Sequence, residues 1–226
     1  MFIKPDLRLT RGFPFQLICA VLLFLAASQA ALADELAVWN FNDSNLNVDH
    51  GSGTVTSNIN VANILFAAGT TNNARQGDIA GQALSLQGGT SVANNGRNIT
   101  FNVSTVGFSN IIVSFATQGT STGFNSNQFQ YSLDGITFTD FGPPYVPLAA
   151  FGSVPIVFSL VSIAGLNDNP DAGFRIVFNG ATSSTGTNRI DNFVVEGTGS
   201  EIPEPATAVL LLSGLGGLYK LKRARK

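Results

Sequence analysis

The chain has 226 residues and a net charge of −2, and is 44% hydrophobic but only 12% charged, against about 25% charged in an average soluble domain. A single cysteine excludes a disulfide framework and a cysteine-built zinc site, and the apolar content excludes general disorder. Residues 34–200 hold 11 acids, four arginines and no lysine, while the last seven residues hold five bases; an acidic middle excludes a nucleic-acid partner, which needs clustered cations on the folded face.

The N-terminus reads as an export signal. Lys4, Arg8 and Arg11 precede an uncharged apolar core at 17–27, and Ala31-Leu32-Ala33 follows as a small-x-small cleavage site. That order is the secretory pattern, with Asp34 as the mature N-terminus. The apolar run is too short for a membrane span of about 20 residues. Cys19 lies inside this run behind a bulky Ile18, so the mature chain is cysteine-free and indifferent to the redox state of its compartment. The partners implied are the general secretion machinery and signal peptidase.

From Asp34 to 199 helical periodicity is nearly absent, and short alternating runs recur between Gly, Asn, Ser and Thr clusters. This is the pattern of an all-β antiparallel sandwich. Strands are predicted at 37–41, 54–61, 82–86, 99–103, 111–117, 128–133, 136–141, 154–160, 173–178 and 189–195. Asp134-Gly135 predicts a two-residue type I′ hairpin. It would set Leu133 opposite Ile136 and Tyr131 opposite Phe138, with all four side chains on the core face. The stretches WNFND, TGFNSNQFQYSLDGITFTDF and NRIDNFVVEGT, in this order, resemble secreted bacterial jelly-roll modules of the galactose-binding or carbohydrate-binding kind. That resemblance implies a jelly-roll-like sandwich whose first and last strands lie side by side.

Few residues in this domain point to chemistry. His50, the only histidine, sits in a polar loop without the Gly-x-Ser-x-Gly elbow, so no Ser-His-Asp triad is expected. Almost all the acids fall in turns or at strand ends, where turn formation and solubility explain them without glycoside hydrolysis. No cofactor is required. Two places offer oxygen ligands for a structural calcium: Asn167, Asn169 and Asp171 at alternate positions, and Asn42 and Asp43 with Asp191, by analogy with jelly-roll modules. Their bland readings are an Asx/Pro turn and a hydrogen-bond lock between the terminal strands. Trp39 and Tyr131 lie in strand patterns and read as core. Tyr145, in the proline loop GPPYVP, is the candidate exposed ring for stacking on a sugar.

After the domain, Pro203-Glu204-Pro205 forces an extended segment. An uncharged run at 206–219 and a basic end at 220–226 follow. Fourteen helical residues reach about 21 Å, which snorkelling lysine stems can extend toward a bilayer core of about 30 Å. The basic end would stay cytoplasmic. A Pro-Glu-Pro motif, a short apolar helix and a terminal basic cluster, in that order, resemble the PEP-CTERM sorting signal. The resemblance implies an exosortase-type membrane protease acting at Pro203, Glu204 and Pro205, a Gram-negative host, transient tethering in the inner membrane, and release to the cell surface or extracellular matrix with a link to exopolysaccharide or biofilm. The sequence therefore reads as a non-enzymatic, exported matrix protein. The alternatives are a lectin-like carbohydrate-binding module and, third, a secreted hydrolase.

Overall fold

The computed structural model describes residues 33–199. The predicted export core at 17–27, Ala31, and the tail with Pro203, Glu204 and Pro205 lie outside these residues. Ala33 and Asp34 open the first strand. Among the described residues no helix is long and apolar enough to cross a membrane.

Among the described residues twelve strands run in chain order: β1 Ala33–Trp39, β2 His50–Gly51, β3 Thr54–Ser57, β4 Ile64–Ala68, β5 Gln82–Gln87, β6 Arg97–Asn102, β7 Phe108–Gly119, β8 Ser126–Ser132, β9 Phe138–Asp140, β10 Ile156–Ser159, β11 Gly173–Asn179 and β12 Thr187–Gly199. They form two antiparallel sheets. The five-stranded sheet has the order β3-β6-β11-β8-β9. In the seven-stranded sheet the path β10-β7-β12-β1-β2 is joined by β5, which also pairs with β12, and by β4 on β5. The first and last strands are neighbours, Ala33 opposite Thr198, as expected.

Period-two alternation builds the core. In β11, Phe174, Ile176 and Phe178 are buried while Arg175, Val177 and Asn179 are half-exposed, so one face points inward and the other to water. Two aromatic stacks join the sheets. Phe101 of β6 lies on Phe193 of β12, rings 3.6 Å apart and 6° from parallel, and Phe129 of β8 lies on Phe158 of β10 at 3.9 Å. Trp39 meets the first stack edge-on.

The seven-stranded sheet forks at β12. One edge of β12 follows β7; the other pairs first with β5, up to Ile190, and then with β1, from Phe193. Asp191 and Asn192 fill the gap as a bulge, with Asn192 at φ 49, a conformation asparagine tolerates. The segment 69–81 crosses this fork. Thr70 N donates to Asp191 Oδ2 at 2.7 Å, Asn192 Nδ2 donates to the carbonyls of Thr70 and Asn72, and Arg75 reaches Glu196 at 2.8 Å.

The predicted hairpin register is corrected. Ser132 pairs with Phe138, Tyr131 with Thr139 and Gln130 with Asp140, across a five-residue loop at 133–137. Leu133 and Ile136 are exposed, at 44% and 83%. The Asp134 carboxylate decides this. It accepts from Thr137 N at 2.7 Å, Ile136 N at 2.9 Å and Ser132 Oγ at 2.9 Å, an Asx-type closure. Within the pair only Gly135 takes a positive φ, whereas a type I′ turn needs two. These donors, the Thr137 and Ile136 amides foremost, hold the Asp134 carboxyl well below the usual carboxylate range. The one-residue slip turns Phe138 from the core to the outer face.

Candidate functional site

That slip completes the outer face of the five-stranded sheet. Directly paired residues share a face, so the registers place Thr54, Asn102, Gly173, Ser132 and Phe138 in one row. Thr56, Thr100, Arg175, Gln130 and Asp140 form the next, and Asn98, Val177 and Gln128 a third. The result is a rigid lattice of amides and hydroxyls, about 4.8 Å between strands and about 6.8 Å along them.

The lattice is internally ordered. Arg175 Nε donates to Thr100 Oγ1 at 2.9 Å, and that hydroxyl donates to Asn98 Oδ1 at 3.4 Å. Gln130 Nε2 donates to Asp140 Oδ1 at 2.7 Å, and Gln128 Nε2 to the carbonyls of Phe129 and Gly142. The Arg175 guanidinium lies over the Phe138 ring, 3.4 Å from its centroid, a cation–π contact. Burial lowers the Arg175 pKa, but an arginine stays charged at any working pH. At the end of this face a cleft of about 350 Å³ is lined by Asn102, Ser104, Asp134, Pro170 and Asp171.

The predicted site residues fall elsewhere. Tyr145 does not present a free ring, which corrects that expectation. Its backbone bridges Asn127 and its ring packs against Phe115 and Phe158. Its buried hydroxyl is pushed up from its ordinary pKa by desolvation. The proline loop folds onto the sandwich rather than standing off it. Trp39 is fully buried and Tyr131 packs on the core. His50 Nε2 lies 3.3 Å from Asp78 Oδ2.

At both calcium candidates most of the side-chain oxygens accept from N–H donors; the Asp171 carboxylate is the exception. Asn169 Oδ1 accepts from Asp171 N at 2.7 Å and Asn167 Oδ1 from Asn110 N at 3.2 Å, the Asx/Pro-turn arrangement. Asn42 Oδ1 accepts from Gln82 N at 2.9 Å and Asp43 Oδ2 from Asn45 Nδ2 at 2.5 Å. Asp191 takes the amides of Thr70 and Asn192. Among the described residues no three His, Cys, Asp or Glu side chains gather as metal ligands. Asn42, Asp43 and Asp191 spend these bonds on Gln82, Asn45, Thr70 and Asn192 rather than on one another. Burial first, and Asp78 beside it, raise the Asp191 pKa to about 7.

The outer-face residues carried a signal in the sequence: each sits at the polar parity of an alternating strand, and Arg175 interrupts an apolar run, GFRIVF. What the sequence did not show is that strands as far apart as β6 and β11 set these positions in register.

No protein-family model matches the chain, and no curated protein does. Among solved structures, the backbone is similar to domain 4 of AbnA, an extracellular arabinanase from Geobacillus stearothermophilus, in complex with arabinotriose (15% identity, 74% of this chain and 94% of that one, TM-score 0.46). It is similar to the CBM22-1 xylan-binding domain of Paenibacillus barcinonensis Xyn10C (11% identity, 76% and 100% covered, TM-score 0.45). It is also similar to TmCBM61 in complex with β-1,4-galactotriose (12% identity, 69% and 92% covered, TM-score 0.41). At these identities and scores the ligand of this chain rests on its own residues.

Proposed function

We propose that this chain is an exported, non-catalytic glycan-binding protein, and that it docks polysaccharide on the outer face of its five-stranded sheet. The observation that carries the reading is the array of half-exposed Asn98, Asn102, Gln128, Gln130 and Arg175 on paired strands, with the buried Thr100 anchoring Arg175 from below. A sugar offers hydroxyls that both donate and accept. Asn and Gln amides match both roles, and side chains fixed on strands keep the spacing that recognition needs. The same face argues against hydrolysis. Glycoside cleavage uses two carboxylates flanking the bond; the strands of the proposed docking array carry one, Asp140, and Asp134 and Asp171 stand in the cleft beyond the array.

Binding is tested with the full chain against a panel of soluble polysaccharides in affinity gels. At least one polymer should retard the wild type saturably. The double variant Asn98→Ala, Gln130→Ala should lose at least about tenfold in affinity, roughly 1.4 kcal/mol. A Gln118→Ala change on the seven-stranded sheet should not. Equal retardation of both variants would place the ligand elsewhere.

Export and sorting form the second half of the reading, supported by the sequence at the two ends. The basic-apolar-small order before Asp34 supports secretion, and Pro203-Glu204-Pro205 with its apolar run and basic end supports processing by an exosortase-type protease, followed by residence at the surface or in an exopolysaccharide matrix. Intact mass of the protein from its host should begin at Asp34 and lack the residues after about Pro205. Alanines at 203–205 should leave the tail attached and the protein in the membrane fraction; unchanged mass and location would remove the sorting signal from the account.

A further inference from the structure

Arg175 is the one cation on the lattice described above, and it is held from several sides. Its Cζ sits over the Phe138 ring. Its Nε is tied to Thr100, which is tied in turn to Asn98. The Phe138 ring tip reaches Gly173, where a Cβ would stand 3.2 Å from the ring Cζ; a larger residue there would lift the ring and the guanidinium with it.

Its remaining donors are uncommitted. Nη1 and Nη2 of Arg175 have no hydrogen-bond partner among the described residues. The other three arginines of the described residues are used by the fold: Arg75 on Glu196, Arg97 on the carbonyls of Ala93 and Asn58, and Arg189 on the Ala68 carbonyl. A second consequence concerns the ring. One face of Phe138, the aromatic side chain of this lattice, is covered by the guanidinium, so the flat element here is planar and cationic rather than aromatic.

We propose that this face selects carboxylated polysaccharides, a uronate carboxylate being held by Arg175 Nη1 and Nη2 while the neighbouring hydroxyls meet Asn98, Asn102 and Gln130. The proposal rests on the glycan-binding reading above. A planar guanidinium matches a carboxylate through two parallel N–H bonds, and such charged bonds are roughly twice as strong as neutral ones. The acidic charge of the surrounding domain acts from further away and is screened over about 8 Å at physiological salt. Asp140 lies two strands from Arg175 in the same row. It opposes a carboxylate on the β9 side, so the charged sugar sits toward β6.

The test uses the full chain in detergent and two forms of one polymer: polygalacturonate, and polygalacturonate with its carboxyls reduced to alcohols. Dextran sulfate serves as a polyanion without carboxylates. The wild type should bind polygalacturonate at least tenfold more tightly than the reduced polymer or dextran sulfate. Arg175→Gln should bind polygalacturonate and the reduced polymer equally, and Arg175→Lys should recover only part of the preference. Thr100→Val keeps the charge but removes its anchor, and should fall between wild type and Arg175→Gln. Equal wild-type binding to polygalacturonate and the reduced polymer overturns carboxylate selection and leaves the glycan reading standing. A preference that survives Arg175→Gln overturns the assignment to Arg175, and dextran sulfate binding as tightly as polygalacturonate overturns selection for carboxylates. Binding to none of the three, together with no retardation by the wider panel, sinks the glycan reading and this proposal with it.

Discussion

Replacing Phe193 by alanine is expected to destabilise the domain by about 3–5 kcal/mol. Phe193 is fully buried and sits where three aromatic side chains converge. It stacks on Phe101 from the opposite sheet at 3.6 Å, faces Phe115 at 5.5 Å and takes the edge of Trp39 at 6.1 Å. Removing the ring loses its transfer free energy and leaves a cavity between the two sheets, which strands pinned by hydrogen-bond ladders cannot close. Domains of this kind are stable by about 5–15 kcal/mol, so the loss is a large fraction of the total. Phe193→Leu keeps most of the volume and should cost about 1–1.5 kcal/mol. Urea unfolding checks both. The midpoint should fall steeply for alanine with little change in slope; a loss below 1 kcal/mol would mean that the stack is not what joins the sheets.

The second large effect lies at the fork in β12. Asp191 is 1% exposed and accepts the amides of Thr70 and Asn192. Asp191→Ala leaves two backbone donors without an acceptor, at about 1–3 kcal/mol each, for a loss of about 2–6 kcal/mol. The segment 69–81 should loosen with it. Arg75 lies in this segment, tied to Glu196 and Asn73, so trypsin should cut the variant after Arg75 faster than the wild type. Equal cutting and an unchanged midpoint would contradict the role given to Asp191.

The same carboxylate sets a pH dependence. With its pKa raised to about 7 in the folded protein, Asp191 keeps its proton over a range where the unfolded chain, near 3.9, has released it. The folded state then binds more protons, so this group's contribution to stability falls as pH rises from about 4 to about 7. Asp191→Ala should flatten that part of the profile.

The sequence carried more of the fold than of the site. Strands with strict alternation, such as β6 and β11, were legible because burial on one face imprints a two-residue period. His50–Gly51 is too short to leave a pattern, and Ile64–Ala68 is an apolar run without alternation. The hairpin misled for a physical reason. Asp134-Gly135 is good turn chemistry, but the Asp134 side chain closes a longer loop, and one residue of slip exchanges core for surface. Tyr145 failed as an exposed ring because the packing of its loop against Phe115 and Phe158 is tertiary. The outer face combines side chains from five strands, and pairings such as Arg175 with both Thr100 and Gln130 exist only once the sheet is formed.

The measurement that tests the central claim most directly is amide chemical-shift mapping of the labelled protein during titration with a polysaccharide fragment that it binds. The account predicts saturable shifts concentrated at 98–102, 128–132, 138–140 and 173–179, fading in the Asn98→Ala, Gln130→Ala variant. Shifts confined to the loops or to the seven-stranded sheet would contradict it, because the ligand would then sit on side chains that this lattice does not contain.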